Sequence, residues 1–205
     1  STILTEVPEM FGAEGMLLGR CQSRAVFDKA ASMLNGFKEY FLAHGETVYE
    51  NPSPGNKQGG ITTLEDKSCG CVQKGGSAPI VDVVSYGEQV HARGLNLLNG
   101  PGNDLVSATA LTAAGAQLVL FTTGRGTPFG APAPTLKIAT NTPLAEKKKG
   151  WIDFNAGTIA DGSQSIGEAG AALYALVLDV ASGKQTRTEQ KGYREISIFK
   201  DGVVL

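Results

Sequence analysis

A glycine-flanked arginine is the sharpest chemical feature of the sequence. Gly124 and Gly126 bracket Arg125, and Thr122, Thr123 and Thr127 stand on either side. Glycines let backbone N–H groups come close to a ligand, and a guanidinium offers a planar fork of donors. Such a loop suits a carboxylate or a phosphate; the alternative is a surface turn around a solvated arginine. The spacing is not that of a Walker A loop, and Gly124-Arg125-Gly126 supplies only the first part of a dinucleotide fingerprint. A second group follows the polar stretch Glu50–Gly60, which contains Asn56: the residues Glu65, Lys67 and Lys74. A carboxylate and two amines beside a helix N-terminus can do acid–base work, or they can be a solvated helix face. Glu65 and Lys67 are two residues apart and so do not share a helix face. Glu6 and Glu9 form a third group, suited to hold a metal, to act as bases, or simply to charge a helix N-terminus. Cys69-Gly70-Cys71 is a CxC pair, a weak thiolate signal; Cys71 joins Glu6 and Glu9 as a candidate metal ligand, against the alternative of one buried and one exposed thiol. The two histidines, His44 and His91, lie far apart and outside any paired-ligand motif. His44, just ahead of the polar stretch, is a minor functional candidate, and His91 reads as surface.

The elements that must position these groups alternate between strand and helix. Thr2–Thr5 reads as a strand that stops at Pro8. Helices are predicted over Glu9–Arg20 and from an N-cap at Ser23 to Gly45, the second with apolar residues at 3–4 spacing. A further helix, capped by Thr62 or Thr63, runs to Lys74-Gly75-Gly76. Then come strands at Ile80–Val84 and Leu95–Leu98, a helix over Leu105–Ala114, and strands at Gln117–Thr122 and Leu136–Thr140. A short helix from Thr142-Pro143 ends in Lys147-Lys148-Lys149, read as a solvated helix end. Trp151–Phe154 is a strand, Ser165–Ser182 a helix, and Glu195–Phe199 with Val203-Val204 a terminal hairpin turning at Asp201-Gly202. The pattern predicts an α/β fold, a mostly parallel sheet flanked by helices in Rossmann-like layering. In such sheets ligands bind at the carboxyl ends of strands. Here those ends read Thr5-Glu6, Asn99-Gly100-Pro101-Gly102, Thr122–Pro128 and Asn155-Ala156-Gly157. Thr122, Thr123, Arg125, Thr127 and Asn155 are therefore candidate substrate contacts, and Asn56 of the polar stretch is a further one.

Composition narrows the class. The 205 residues include 27 glycines, and 18 basic against 20 acidic side chains leave a net charge of -2. That balance excludes a strongly basic nucleic-acid binder. A 41% hydrophobic fraction excludes wholesale disorder. No apolar run approaches the ~18 residues of a membrane span. Three cysteines, an odd count, read as reduced thiols in a cytoplasmic setting. The chain opens Ser1-Thr2-Ile3 without an initiator Met, which suits a cleaved protein or a piece of a longer one.

Six collinear segments carry a resemblance: Leu4–Glu14 (LTEVPEMFGAE), Glu50–Asn56 (ENPSPGN), Gly59–Ser68 (GGITTLEDKS), Gly70–Gly76 (GCVQKGG), Phe121–Pro128 (FTTGRGTP) and Asp153–Gly157 (DFNAG). Together they make the chain similar to the carboxy-terminal part of the altronate/galactarate dehydratase family. The final ~20 residues carry little of the likeness. The resemblance implies a hydro-lyase that converts a sugar acid to a 2-keto-3-deoxy acid with a divalent metal, Fe²⁺ or Mn²⁺. It implies that residues 1–205 are one region of a longer polypeptide, whose upstream segments hold part of the metal site; a homodimer is one assembly open to the chain. The Pro52-Ser53-Pro54 and Cys71 details favour altronate over galactarate or a sulfonated hydroxy acid. Removing the C2 proton needs positive charge close by. In the scheme that the resemblance implies, a metal and Arg125 supply it. Lys67 or Lys74, with a pKa lowered by burial, takes the proton, and Glu65 or a metal-bound water helps the C3 hydroxyl leave. The competing expectation is a non-catalytic lobe that supplies substrate contacts and dimer surface.

Overall fold

Short apolar strands separated by helices favour parallel pairing, because each crossover is long enough to carry a helix. The computed structural model describes residues 1–48, 52, 54–58 and 60–201, and every strand pair in it is parallel. The strands fall into two three-stranded sheets rather than one. The chain divides accordingly into two compact units: Ser1–Gly115 with the chain end from Ile198, and Ala116–Ser197.

Unit 1 runs through β1 (Thr2–Leu4), a 3-10 turn (Val7–Met10), α1 (Glu14–Leu18), α2 (Arg24–Ala43), α3 (Pro54–Gln58), α4 (Leu64–Gln73), β2 (Ile80–Val84), β3 (Leu95–Leu98) and α5 (Asp104–Ala113). β3 lies between β1 and β2, and all four of its residues are buried. The helices pack an apolar stripe against this sheet. Val26, Ala30, Met33, Leu34 and Phe37 of α2 meet Phe11, Leu17, Val72, Ile80 and Leu97. Ser23 caps α2 by accepting the Val26 N–H at 3.3 Å. The helix predicted over Glu9–Arg20 does not form as one piece. Gly12 has φ +92°, which a right-handed helix cannot pass through, so a 3-10 turn and a short α1 replace it.

Unit 2 contains β4 (Val119–Thr123), β5 (Thr135–Ala139), α6 (Thr142–Lys147), β6 (Phe154–Asn155), α7 (Gly157–Ala160), α8 (Ile166–Ala181) and α9 (Arg187–Gln190). β5 is central and wholly buried. The predicted strand at Trp151–Phe154 shrinks to Phe154–Asn155. Trp151 and Ile152 donate their N–H groups back to the O of Lys148, the C-cap of α6, at 2.8 and 3.2 Å, so they turn onto the helix end rather than joining the ladder. Ser165 and Glu168 cap α8 reciprocally. Glu195–Phe199 forms no strand: the Glu195 N–H donates to Gly130 O, and the Phe199 N–H to the Tyr86 hydroxyl. The other half of the expected terminal hairpin, with Gly202 of its turn, lies outside the described residues. No described helix is long and apolar enough to cross a membrane.

Candidate functional site

In unit 1 the carboxyl ends of β1 and β3 come side by side. The chain leaves β1 through Thr5, whose hydroxyl donates to Leu98 O at 3.1 Å, and the Val7 N–H donates to Gly100 O at 2.9 Å. Gly100 is required there: a Cβ would lie 2.5 Å from the Thr5 hydroxyl. Between these anchors Glu6 adopts φ 69°, ψ 58°, the one left-handed non-glycine among the described residues. Such a conformation costs on the order of 1–3 kcal/mol and persists only where its surroundings impose it. It turns the following residues into the 3-10 helix that presents Glu9. α4 runs past this corner. Its Lys67 ammonium is 2.8 Å from a Glu9 carboxylate oxygen, and Lys74, the C-cap residue, is 3.8 Å from Glu6. The Ser107 hydroxyl of α5 donates to the other Glu6 oxygen at 3.4 Å. The result is two carboxylates and two ammoniums gathered at one strand end.

Electrostatics separates the members. Burial pushes the Glu6 carboxyl up from 4.5 to about 7; Lys74 opposes the rise, Asp104 and Glu9 add to it, and Ser107 opposes it. A carboxyl of that kind exchanges its proton near neutrality. Lys67 is mostly buried, whereas Lys74 keeps 44% of its side chain in solvent and so lacks the burial expected of it. Cys71 is buried on α4, and its thiol is pushed up to about 11 by that burial.

Not every candidate joins this cluster. Glu65 lies one face round α4, exposed, and lines a cavity of about 640 Å³ with the Glu14–Lys38 ion pair of 2.6 Å. Asn56 sits half-buried on α3, its carbonyl accepting the Ile61 N–H at 3.1 Å. Glu50, Asn51, Ser53 and Gly59 of the polar stretch lie outside the described residues. His44 ends α2, 3.4 Å from Asp201, and His91 lies in the half-buried to exposed turn before β3.

The expected metal ligands Glu6, Glu9 and Cys71 do not make a ligand set. Among the described residues no three His, Cys, Asp or Glu side chains converge on a point. Glu9 is engaged by Lys67 at 2.8 Å, and Glu6 faces Lys74 and the Ser107 hydroxyl. These side chains alone do not fit a divalent metal.

Unit 2 brings its own strand ends together. Thr122 and Thr123 finish β4, and the Thr123 hydroxyl accepts the Gly126 N–H at 2.8 Å, closing the loop around Arg125, which is exposed. Gly126, at φ +83°, makes that closure. Thr140 and Asn141 follow β5, and Asn141 donates to Gly124 O at 3.0 Å. Asn155 ends β6 and donates to the Thr142 hydroxyl at 3.2 Å, while Thr142 donates to Asp161 at 2.8 Å. A Cβ on Gly157 would lie 2.1 Å from the Thr142 nitrogen, so only glycine lets α7 start there. Four of the five unit 2 candidates, Thr122, Thr123, Arg125 and Thr127, thus lie at the end of β4 and in the loop after it, and Asn155 stands at the same carboxyl end of the sheet, on the opposite edge strand.

Several site residues escaped the sequence reading. Asp104 and Ser107 act on Glu6 from α5, a helix that reads as plain Ala/Thr filler. Asn141 had a usable signal, the polar residue before Thr142-Pro143, which marks an N-cap; its side chain does accept the Leu144 N–H at 2.9 Å. Asn99, at the end of β3, keeps a buried Oδ1 for which there is no hydrogen-bond partner among the described residues.

Residues 1–204 match the family model described as D-galactarate/altronate dehydratase, C-terminal. Over its whole length the chain is 55% identical to altronate dehydratase of Escherichia coli (strain K12) and 54% identical to that of Bacillus subtilis (strain 168), covering 41% of each. It is 37% identical to galactarate dehydratase (L-threo-forming) of Escherichia coli (strain K12), covering 40% of that protein. The chain thus spans about two fifths of the length of these curated relatives.

Proposed function

Because the chain belongs to the D-galactarate/altronate dehydratase family, we propose that it is the carboxy-terminal part of a hydro-lyase that turns a sugar acid, altronate ahead of galactarate, into a 2-keto-3-deoxy acid. The observation that carries the chemistry is the gathering of Glu6, Glu9, Lys67 and Lys74 where β1 and β3 end. In the reaction the C2–H bond breaks and its proton goes to a base. The electron pair forms the C2–C3 double bond as the C3 hydroxyl leaves, protonated to water. The resulting enol then takes a proton at C3 and gives up its C2 hydroxyl proton to become the ketone. Lys67 or Lys74 is the base and the nearby cation for the developing enediolate. Glu6, which burial holds at about 7, carries the proton for the leaving hydroxyl. Glu65 faces the separate cavity and has no role in this scheme. In unit 2 the Arg125 loop is a carboxylate-binding loop, with the threonine hydroxyls and Asn155 beside it.

The Fe²⁺ or Mn²⁺ that the family resemblance implies is assigned, in this proposal, to ligands outside the described residues, and no step above runs through it. Three free thiols support a reducing, cytoplasmic setting. The absence of a three-ligand group among the described residues favours a second reading, a lobe that supplies substrate contacts and dimer surface while the chemistry resides elsewhere in the polypeptide.

An anaerobic assay of the whole polypeptide with Fe²⁺ across a sugar-acid panel, detecting 2-keto-3-deoxy acids, separates the two. The first reading expects product from altronate, with kcat reduced ~10²-fold or more in Glu6→Gln and in at least one of Lys67→Met and Lys74→Met. If those variants keep the parent's kcat, unit 1 is not the catalytic centre and the second reading stands.

A further inference from the structure

We propose that Lys137 is a positioning residue for the Arg125 loop, an inference that rests on that loop's binding the substrate carboxylate. Lys137 lies in the middle of β5 with 1% of its surface exposed, an unusual place for an ammonium. Its Nζ donates to Thr127 O at 2.7 Å. The same nitrogen lies 4.2 Å from the ring centroid of Phe121 and 4.0 Å from that of Phe129, two rings that meet edge to face. A buried cation is costly unless it is hydrogen-bonded and compensated, and the carbonyl and the two ring faces do that here.

An aliphatic side chain would fill this slot without the desolvation cost. What the ammonium adds is a fixed point for the backbone just beyond Arg125. The other side of the loop is held in the same manner, by Asn141 on Gly124 O at 3.0 Å. Both pins come from the stretch between Lys137 and Asn141, so the carbonyls flanking Arg125 are tied to the central strand and to its immediate continuation. These ties hold the backbone from which the Arg125 side chain leaves, between a glycine on each side. Lys137 reaches no substrate atom in this scheme and acts through the loop.

The test is a double-mutant cycle in the whole polypeptide, with kcat and KM measured on altronate. Arg125→Ala should raise KM strongly. Lys137→Met should keep the parent's circular dichroism and raise KM about tenfold with kcat within about threefold, because uniform binding is what it removes. Lys137→Arg, which keeps a cation but moves the donor, should raise KM about threefold, and Arg125→Ala/Lys137→Met should be no worse than Arg125→Ala alone, since coupled residues are not additive. A folded Lys137→Met with the parent's KM, beside an impaired Arg125→Ala, overturns the inference alone; so does a double variant in which the two losses multiply. An Arg125→Ala variant with the parent's kinetics overturns the loop reading and this inference with it. If Lys137→Met does not fold, Lys137→Arg decides, and a folded Lys137→Arg with the parent's KM overturns the inference.

Discussion

Glu6 concentrates two costs in one residue, a left-handed backbone and a buried carboxyl. The second has a measurable sign. Its folded pKa, about 7, lies above the ordinary 4.5, so between those values the folded chain binds more protons than the unfolded one. Stability therefore falls as pH rises through that window and levels off above it. Burial sets most of the size; Lys74 and Ser107 favour the charge, and Asp104 and Glu9 oppose it. A rise of this size corresponds to about 3 kcal/mol at full deprotonation. Glu6→Gln cannot ionise, so from pH 4 to pH 8 its urea midpoint should gain on the parent's; parallel profiles would refute the burial argument. Arg125 was legible because its glycine and threonine neighbours are local in sequence. Lys137 was not: a single lysine in Leu136-Lys137-Ile138 reads as an outward-facing position, and only the fold brings Phe121, Phe129 and Thr127 around it.

At the scale of elements, legibility followed capping. Ser23, Thr63 and Ser165 each stand at a helix start that the sequence indicated, because a hydroxyl before an apolar periodic run is a local signal. Boundaries set by long-range geometry were not legible. Nothing local to Glu9–Arg20 tells that Gly12 takes φ +92° with Leu64 3.3 Å from where a Cβ would sit, and nothing local to Trp151 tells that it stays bonded to the end of α6. Nor does the order of strands announce two sheets rather than one. The cap on α4 matters to the site because that helix carries Lys67 and Lys74. The Thr63 hydroxyl accepts the Asp66 N–H at 3.1 Å, and its loss frays the first turn, where Lys67 begins. Thr63→Ala should cost about 1 kcal/mol of stability, seen as a lower urea midpoint at unchanged slope, and Thr63→Ser should restore most of it. A Thr63→Ala midpoint equal to the parent's would mean that packing alone holds the helix.

At the scale of the whole molecule, unit 1 is not a single stretch of sequence, whereas unit 2 is. The chain leaves unit 1 after Gly115, builds unit 2, and from Ile198 belongs to unit 1 again. Phe199 anchors the return. Its ring stacks on Phe37 at 6.2 Å, meets Tyr40 and Tyr86 edge-on at 5.5 and 5.8 Å, and its N–H donates to the Tyr86 hydroxyl at 2.8 Å. Phe37 and Tyr40 are on α2, the longest helix of unit 1, so the last described residues cover the far end of the helix that packs on β1, β2 and β3. Truncating a fully buried Phe costs ~3–5 kcal/mol; Phe199 is only half-buried, so Phe199→Ala should cost about 2 kcal/mol. The cost should be local, because the rings that Phe199 meets, Phe37, Tyr40 and Tyr86, all belong to unit 1. Native-state hydrogen exchange would then show α2 amides of unit 1 losing protection while the β5 amides of unit 2 keep theirs. Equal loss in both units would show that they open as one cooperative block, and no loss in α2 would show that the returning segment contributes nothing to unit 1.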